Sequence, residues 1–423
     1  MLTQNGEALL RDFATRNYKK EILTLANDVY YFMGYGHSNA TLIVGDEACI
    51  LIDALDGVAA AECLKEAIAT VTDKPVATII YTHSHQDHTG GAAAFKDTAK
   101  EVIAFAPCKT PLAFMKTIAP EFGRRMTRQF GFTLPDDDNY ITQGLGPRQD
   151  GGECKPLPVT ELISEDEVTL ERYGRTLVLK AAPGETDDTL LAWLPEEKIL
   201  CCGDNFYPCW PNLYAIRGSE YRDVAAWVDS LELLRSYGAE VLLPGHSVAY
   251  TDAKKIDTML YNYAAAIRFI LEETLDGLAD GKTTDELAHS VRLPDAFAML
   301  PYLGEHYGSV DWSVRGIAAG YQGWFDGNPT SLHPLSPYKR ATKEVAMMGG
   351  AEAILAEINK ALAEGEEQWA LELCDKLLNA QEETATAKEK KIQALWSISK
   401  KETSANGRHY YQTCAQEMAK EKE

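Results

Sequence analysis

Thr82-His83-Ser84-His85-Gln86-Asp87-His88-Thr89-Gly90-Gly91 places three imidazoles and a carboxylate within six positions. The run follows Val76-Ala77-Thr78-Ile79-Ile80-Tyr81, an apolar, β-branched stretch of the kind that forms a buried strand. The histidines therefore sit at a strand's C-terminal end, in a turn opened by Gly90 and Gly91. Imidazoles two apart on such a turn can share one metal, and the following Asp87 and His88 can face a second. Burying this many polar groups is costly unless metal bonds and hydrogen bonds compensate, so the stretch points to a metal centre.

Working outward, the first part of the chain alternates short strands and helices. Val29–Met33, Thr41–Val44 and Cys49–Asp53 are predicted strands, broken by Gly34, Gly36 and Gly45. Residues 58–71 carry Leu64, Ala67, Ile68 and Val71 on one helical face. Further strands are expected at 102–106, 176–180, 189–194, 199–203 and 241–243. From about residue 255 strand patterns give way to helical spacing, as in Ile354, Leu355, Ile358 and Leu362. Residues 256–295 and 310–325 read as helices, 327–337 as a break, and 339–423 as a helical array with a solvated Lys/Glu face. The fold class is α/β (α+β), with the two layers of strands and helices first and an all-α part after. The division falls at 1–255 and 256–423.

The 423 residues carry 41 basic and 63 acidic side chains, a formal net charge of −22. Such a charge disfavours nucleic acid and anionic membrane, and an anionic substrate then needs local positive charge from metal or arginine. No apolar run is long enough to span a membrane, and the polar N-terminal stretch has no signal-peptide pattern. Nine scattered cysteines without a CxxC pair read as thiols in a reducing cytoplasm.

The HxHxDH run, with Asp53 ending an upstream strand, resembles the metallo-β-lactamase superfamily. That resemblance implies an αββα sandwich with further ligands at later strand ends. The expected turns are present in order: Pro183-Gly184-Glu185-Thr186, Gly203-Asp204 and Pro244-Gly245-His246. Most relatives have histidine where Glu185 stands; a glutamate there is similar to the zinc-dependent alkylsulfatases. Gly144-Leu145-Gly146, Asn212, Arg217, Tyr307-Gly308-Ser309-Val310 and the segment Gly323-Trp324-Phe325-Asp326-Gly327-Asn328-Pro329 also resemble that branch. The resemblance runs from Asn27 to Glu417. It departs in having Asp204 where the branch usually has glutamate, and in lacking an export signal. The sequence also stops before the sterol-carrier-like domain that commonly follows the helices.

The resemblance implies that His83, His85 and Glu185 hold one metal, that Asp87, His88 and His246 hold the other, and that Asp204 bridges. Two Zn2+ are expected, with iron or manganese also compatible with the mixed N/O donors. Two such ions about 3.5–4 Å apart bring a bridging water toward neutral pKa. Asp53 would orient the histidine loop. Asn212 and Arg217 would hold a sulfate group, and Asp87, Asp204 and Arg217 form the catalytic set. Phe206, Trp210 and Tyr214 are read either as an apolar slot or as core, and Arg124, Arg125 and Arg128 either as anion-steering or as solvated. The implied activity is hydrolysis of sulfate monoesters of alcohols by a cytoplasmic homodimer paired through residues 256–423. The alternative keeps the metals and cleaves a phosphoester, carboxylic ester or lactone.

Overall fold

The computed structural model describes residues 2–26, 28–109, 113–137, 139–149 and 151–420. Asn27, where the resemblance begins, lies outside them. Among the described residues twelve strands form two sheets. The first contains β1 (Glu21–Ala26), β2 (Val29–Met33), β3 (Ala40–Val44), β4 (Cys49–Ile52), β5 (Val76–Ile80), β6 (Glu101–Phe105) and β7 (Glu161–Ile163), in that spatial order. The second contains β8 (Glu167–Arg172), β9 (Arg175–Ala181), β10 (Leu190–Leu194), β11 (Ile199–Gly203) and β12 (Val241–Pro244), ordered β12-β11-β10-β9-β8. Pairing is antiparallel from β1 to β4 and parallel from β4 to β7. In the second sheet only β11 and β12 run parallel.

The helices are α1 (Gly6–Asn17), α2 (Val58–Ile68), α3 (Gln86–Thr89), α4 (Met115–Phe130), α5 (Val224–Ser236), α6 (Ala253–Ala279), α7 (Thr284–Ser290), α8 (Asp295–Ala298), α9 (Val310–Gln322), α10 (Pro337–Met347), α11 (Ala351–Glu364), α12 (Glu367–Ala380), α13 (Thr384–Lys401) and α14 (Ala405–Lys420). Their starts follow the capping rules. Asp223 accepts from the N–H of Ala226, Asp252 accepts from those of Lys254 and Lys255, and Thr283 and Glu286 form a reciprocal capping box.

Alternation along the strands makes two layers of core. Ile43, Ile50, Ile80 and Ile103 of the first sheet meet Leu177, Leu190, Ala192 and Leu243 of the second, which closes the sandwich. The outer face of the first sheet packs Leu42, Leu51 and Ile79 against Leu64 and Ile68 of α2. The outer face of the second packs Leu191 and Leu200 against Trp227 of α5, Ile267 of α6 and Val314 of α9. This last core runs without interruption across residue 255. A separate core, with Val345, Ile358, Leu373, Leu377 and Ile398, holds α10 to α14 together.

Seven elements fall outside the strand and helix spans expected from sequence: β1, β8, β7, α1, α3, α4 and α5. The first two are half-exposed strands. Phe206 and Trp210 are fully buried and join the core under α5 and α6, which settles them as core rather than slot. Among the described residues no helix is long and apolar enough to cross a membrane.

Candidate metal centre

Strand ends and the short helix α3 deliver the donors. β4 ends before Asp53, β5 leads into His83, β11 into Asp204 and β12 into His246, while the turn between β9 and β10 carries Glu185. Parallel pairing of β4 with β5 and of β11 with β12 brings these ends to one rim of the sandwich. Tyr31 and Asn39 pin the two sheets there. Tyr31 Oη donates to the Pro244 carbonyl at 2.6 Å, and the Asn39 N–H to the Gly245 carbonyl at 2.7 Å.

Asp53 organises the histidine loop. The backbone N–H and the hydroxyl of Thr82 both donate to its carboxylate at 2.8 Å, and His88 Nδ1 donates at 2.7 Å. Because the Thr82 hydroxyl proton is committed to Asp53, its oxygen accepts from His83 Nδ1 at 3.1 Å. His246 Nδ1 donates to the His37 carbonyl at 3.0 Å. In all three rings Nδ1 donates outward, which leaves Nε2 aimed at the centre as the atom that can coordinate once it gives up any second proton. Asp53 itself has φ 61°, a backbone setting that non-glycine residues seldom adopt and that concentrates at functional sites.

The donor atoms converge. Asp87 Oδ2 lies 3.3 Å from His246 Nε2 and 3.6 Å from His88 Nε2. Asp204 reaches both rings, with Oδ2 3.2 Å from His246 Nε2 and Oδ1 3.4 Å from His88 Nε2. Four donors held about 2.0–2.1 Å from one ion stand about 3.3–3.4 Å apart. These separations, 3.2 to 3.6 Å, bracket that value. On the other side His83 Nε2 is 3.0 Å from His85 Nδ1, Glu185 Oε1 is 3.9 Å from His85 Nδ1, and Asp204 Oδ2 is 3.9 Å from His83 Nε2. Asp204 thus stands between the two groups.

His88 Nε2, His246 Nε2, Asp204 Oδ1 and Glu185 Oε2 are buried without a hydrogen bond. Orphaned polar atoms of this kind are rare in a folded core, and a donor set of buried imidazoles and carboxylates fits cations bound among them. Gly245 is needed for the approach, since a Cβ there would come 2.2 Å from Asp204 Oδ1. Without metal, burial opposes charge on His246, but Asp204 and Asp87 outweigh it and push the ring up to about 10. Burial pushes Glu185 up to about 6, with Arg222 pulling the other way.

Arg217 lies on the wall of a cavity of about 730 Å³ that His83, His85 and Glu185 also line. Its Nη2 is 3.5 Å from His85 Nε2. Asn212 is buried beside this region, with its Oδ1 unpartnered. The apolar side of the cavity comes from Phe105, Met115, Phe122, Leu157, Val159 and Leu162. Arg124 and Arg125 turn to Glu121 and Arg128 to Glu417, and none of the three lines the cavity.

Two residues that the sequence did not single out brace Glu185, Asn212 and Arg217. Arg222 is buried, with Nη1 2.9 Å from Glu185 Oε1 and 2.5 Å from the Asn212 carbonyl. Gln129, at the end of α4, accepts the Arg217 N–H at 2.9 Å. Each is a lone polar residue in an unremarkable stretch, so no local pattern marks it.

Residues 33–246 match the metallo-beta-lactamase superfamily, and residues 283–421 match the alkyl sulfatase dimerisation family. A linear primary-alkylsulfatase of Pseudomonas sp. is 30% identical over 388 residues, covering 89% of this chain and 73% of that protein. The chain belongs to the metallo-beta-lactamase superfamily, in its alkylsulfatase branch. The alkyl/aryl-sulfatase BDS1 of Saccharomyces cerevisiae is likewise 30% identical, over 94% of this chain and 64% of its own length. The stereoselective inverting sec-alkylsulfatase Pisa1 from Pseudomonas sp. superposes with a TM-score of 0.89 at 26% identity, covering 97% of this chain and 67% of its own. The fold of the alkylsulfatase branch thus extends through the helices as well as the sandwich.

Proposed function

We propose that this chain hydrolyses sulfate monoesters of alcohols at a dinuclear zinc centre. The observation that carries the reading is Arg217, a guanidinium set beside His85 on the wall of a cavity otherwise apolar on its far side. His83, His85 and Glu185 would hold one ion and Asp87, His88 and His246 the other, with Asp204 standing between the two groups. When bound, the two ions supply a hydroxide near neutral pH and draw charge from the ester.

The side chains do the rest. Arg217 presents parallel N–H donors to two sulfate oxygens, and the Asn212 amide adds a third contact. In a chain of charge −22 this local cation is what admits an anion. Phe105, Met115 and Phe122 give the alcohol an apolar surface. Asp87 and Asp204 take up positive charge at the centre and orient what binds there.

Residues 1–255 form the catalytic unit and 256–423 the helical unit through which two copies pair. The match to the dimerisation family supports that pairing. Nine cysteines, none in a disulfide, accord with a reducing cytoplasm. The test is a panel of alkyl sulfates, phosphoesters, carboxylic esters and lactones, with zinc-loaded protein and sulfate release measured directly. Turnover of one of the other esters with none of any alkyl sulfate would end the sulfatase reading.

A further inference from the structure

His37 lies in the loop between β2 and β3, outside the ligand set assigned above. It is buried, with 3% of its surface exposed. Its ring packs edge-on against the His246 ring, with centroids 5.0 Å apart. His37, Asp87 and His246 each turn one ligand atom to within 4.8 Å of the other two.

The tautomer follows from the neighbours. His37 Nδ1 is 2.9 Å from the Pro147 carbonyl, which can only accept, so Nδ1 carries the proton and Nε2 keeps the lone pair. The loop is built to hold this posture. The His37 N–H donates to Asp56 Oδ1 at 2.9 Å, and the next residue, Ser38, donates its hydroxyl to the Asp87 carbonyl at 2.5 Å. Gly146 permits the approach of the 145–147 segment, since a Cβ there would stand 2.3 Å from the His37 carbonyl oxygen.

We propose that His37 is itself a metal ligand, its imidazole joining Asp87 and His246 around the second ion as an additional nitrogen donor. The inference rests on the dinuclear reading above and deepens it. A nitrogen donor added to Asp87, His88, His246 and Asp204 raises that ion above four protein donors. The two ions are then unequal in donor number and in affinity, with the imidazole-richer one on the Asp87 side.

The inference separates cleanly from framework effects. The carbonyl that orients His246 belongs to the His37 main chain and survives any substitution there, so a change on replacement reports the ring. Metal-free protein is titrated with zinc against a chromophoric chelator, and with cobalt(II) for its visible spectrum, in wild type, His37→Ala, His37→Gln and His85→Ala. His85→Ala marks the step belonging to the other ion. Both His37 variants should weaken the opposite step by about 10- to 100-fold, leave the His85-linked step unchanged, and alter the cobalt bands. Unchanged affinities with superimposable spectra would overturn the inference, as would equal weakening of both steps in both variants. Wild-type protein that binds fewer than two ions would bring down the dinuclear reading, and this inference with it.

Discussion

Arg222 and Glu185 form a buried ion pair at 2.9 Å in which the guanidinium takes one carboxylate oxygen and leaves the other without a partner. The same Arg222 Nη1 reaches the Asn212 carbonyl, so one cation fixes a proposed metal ligand and a proposed sulfate contact together. Removing one member of such a pair strands the other. Arg222→Met should therefore destabilise the metal-free protein by about 3–5 kcal/mol. Adding Glu185→Gln to it should cost much less than Glu185→Gln costs alone. Urea unfolding of the four proteins in the cycle measures the coupling.

Metal binding should be strongly pH-dependent. Without metal the His246 ring holds its proton up to about 10, because Asp204 and Asp87 outweigh burial. An ion must displace that proton, so apparent affinity should rise as pH is raised from 6 toward 9, by about tenfold per unit for each proton released. Calorimetric titration in buffers of different ionisation enthalpy counts the protons. A flat profile would contradict the arrangement.

Gln129→Leu tests the anchoring of Arg217. It removes the acceptor for the Arg217 N–H without touching any metal donor. A hydrogen bond of this kind contributes about 0.5–1.5 kcal/mol, so kcat/KM for an alkyl sulfate should fall by about 2- to 10-fold, chiefly through KM. Zinc content, measured by elemental analysis, should stay at the wild-type value.

His409 on α14 predicts part of the acid sensitivity. Burial, with Arg408 adjacent, pushes its ring down to about 3, and both ring nitrogens are buried without a side-chain partner. The unfolded chain takes up the proton near the ordinary value of about 6.5 and the folded chain does not. Its contribution is therefore present above about 6.5 and is lost as pH falls toward 3, at up to about 1.4 kcal/mol per pH unit. His409→Phe keeps the stack on Tyr140 and abolishes the proton uptake. Metal-free His409→Phe should lose stability less steeply than wild type between pH 6 and 4 in denaturant titrations.

Why some of this was legible in the sequence and some not comes down to locality. The histidine run, Asp204 after a strand ending in glycine, and His246 after Pro-Gly all carry their signal within a few residues. The buried strands β5 and β11 are equally plain, because both faces are covered and every residue is apolar. β1 and β8 are half-exposed and show no clean alternation. α4 was hidden by Pro120 inside it and by its charged residues, only Gln129 being buried. Arg222, Gln129 and His37 act across 37 to 209 positions of chain, through contacts that no spacing rule encodes. Phe206 and Trp210 show the converse: aromatic residues near a site in sequence turned away from it into the core.

Helix α14 packs on α4, where Glu417 clasps Arg128 and the neighbouring Gln129 grips the Arg217 backbone. An anion that immobilises Arg217 therefore also firms the seat of α14, and anything that firms α14 favours the anion by the same free energy. Under the pairing proposed above, subunit association through the helical array and occupancy of the pocket become thermodynamically linked quantities. Dissociation of the pair should shift with sulfate concentration.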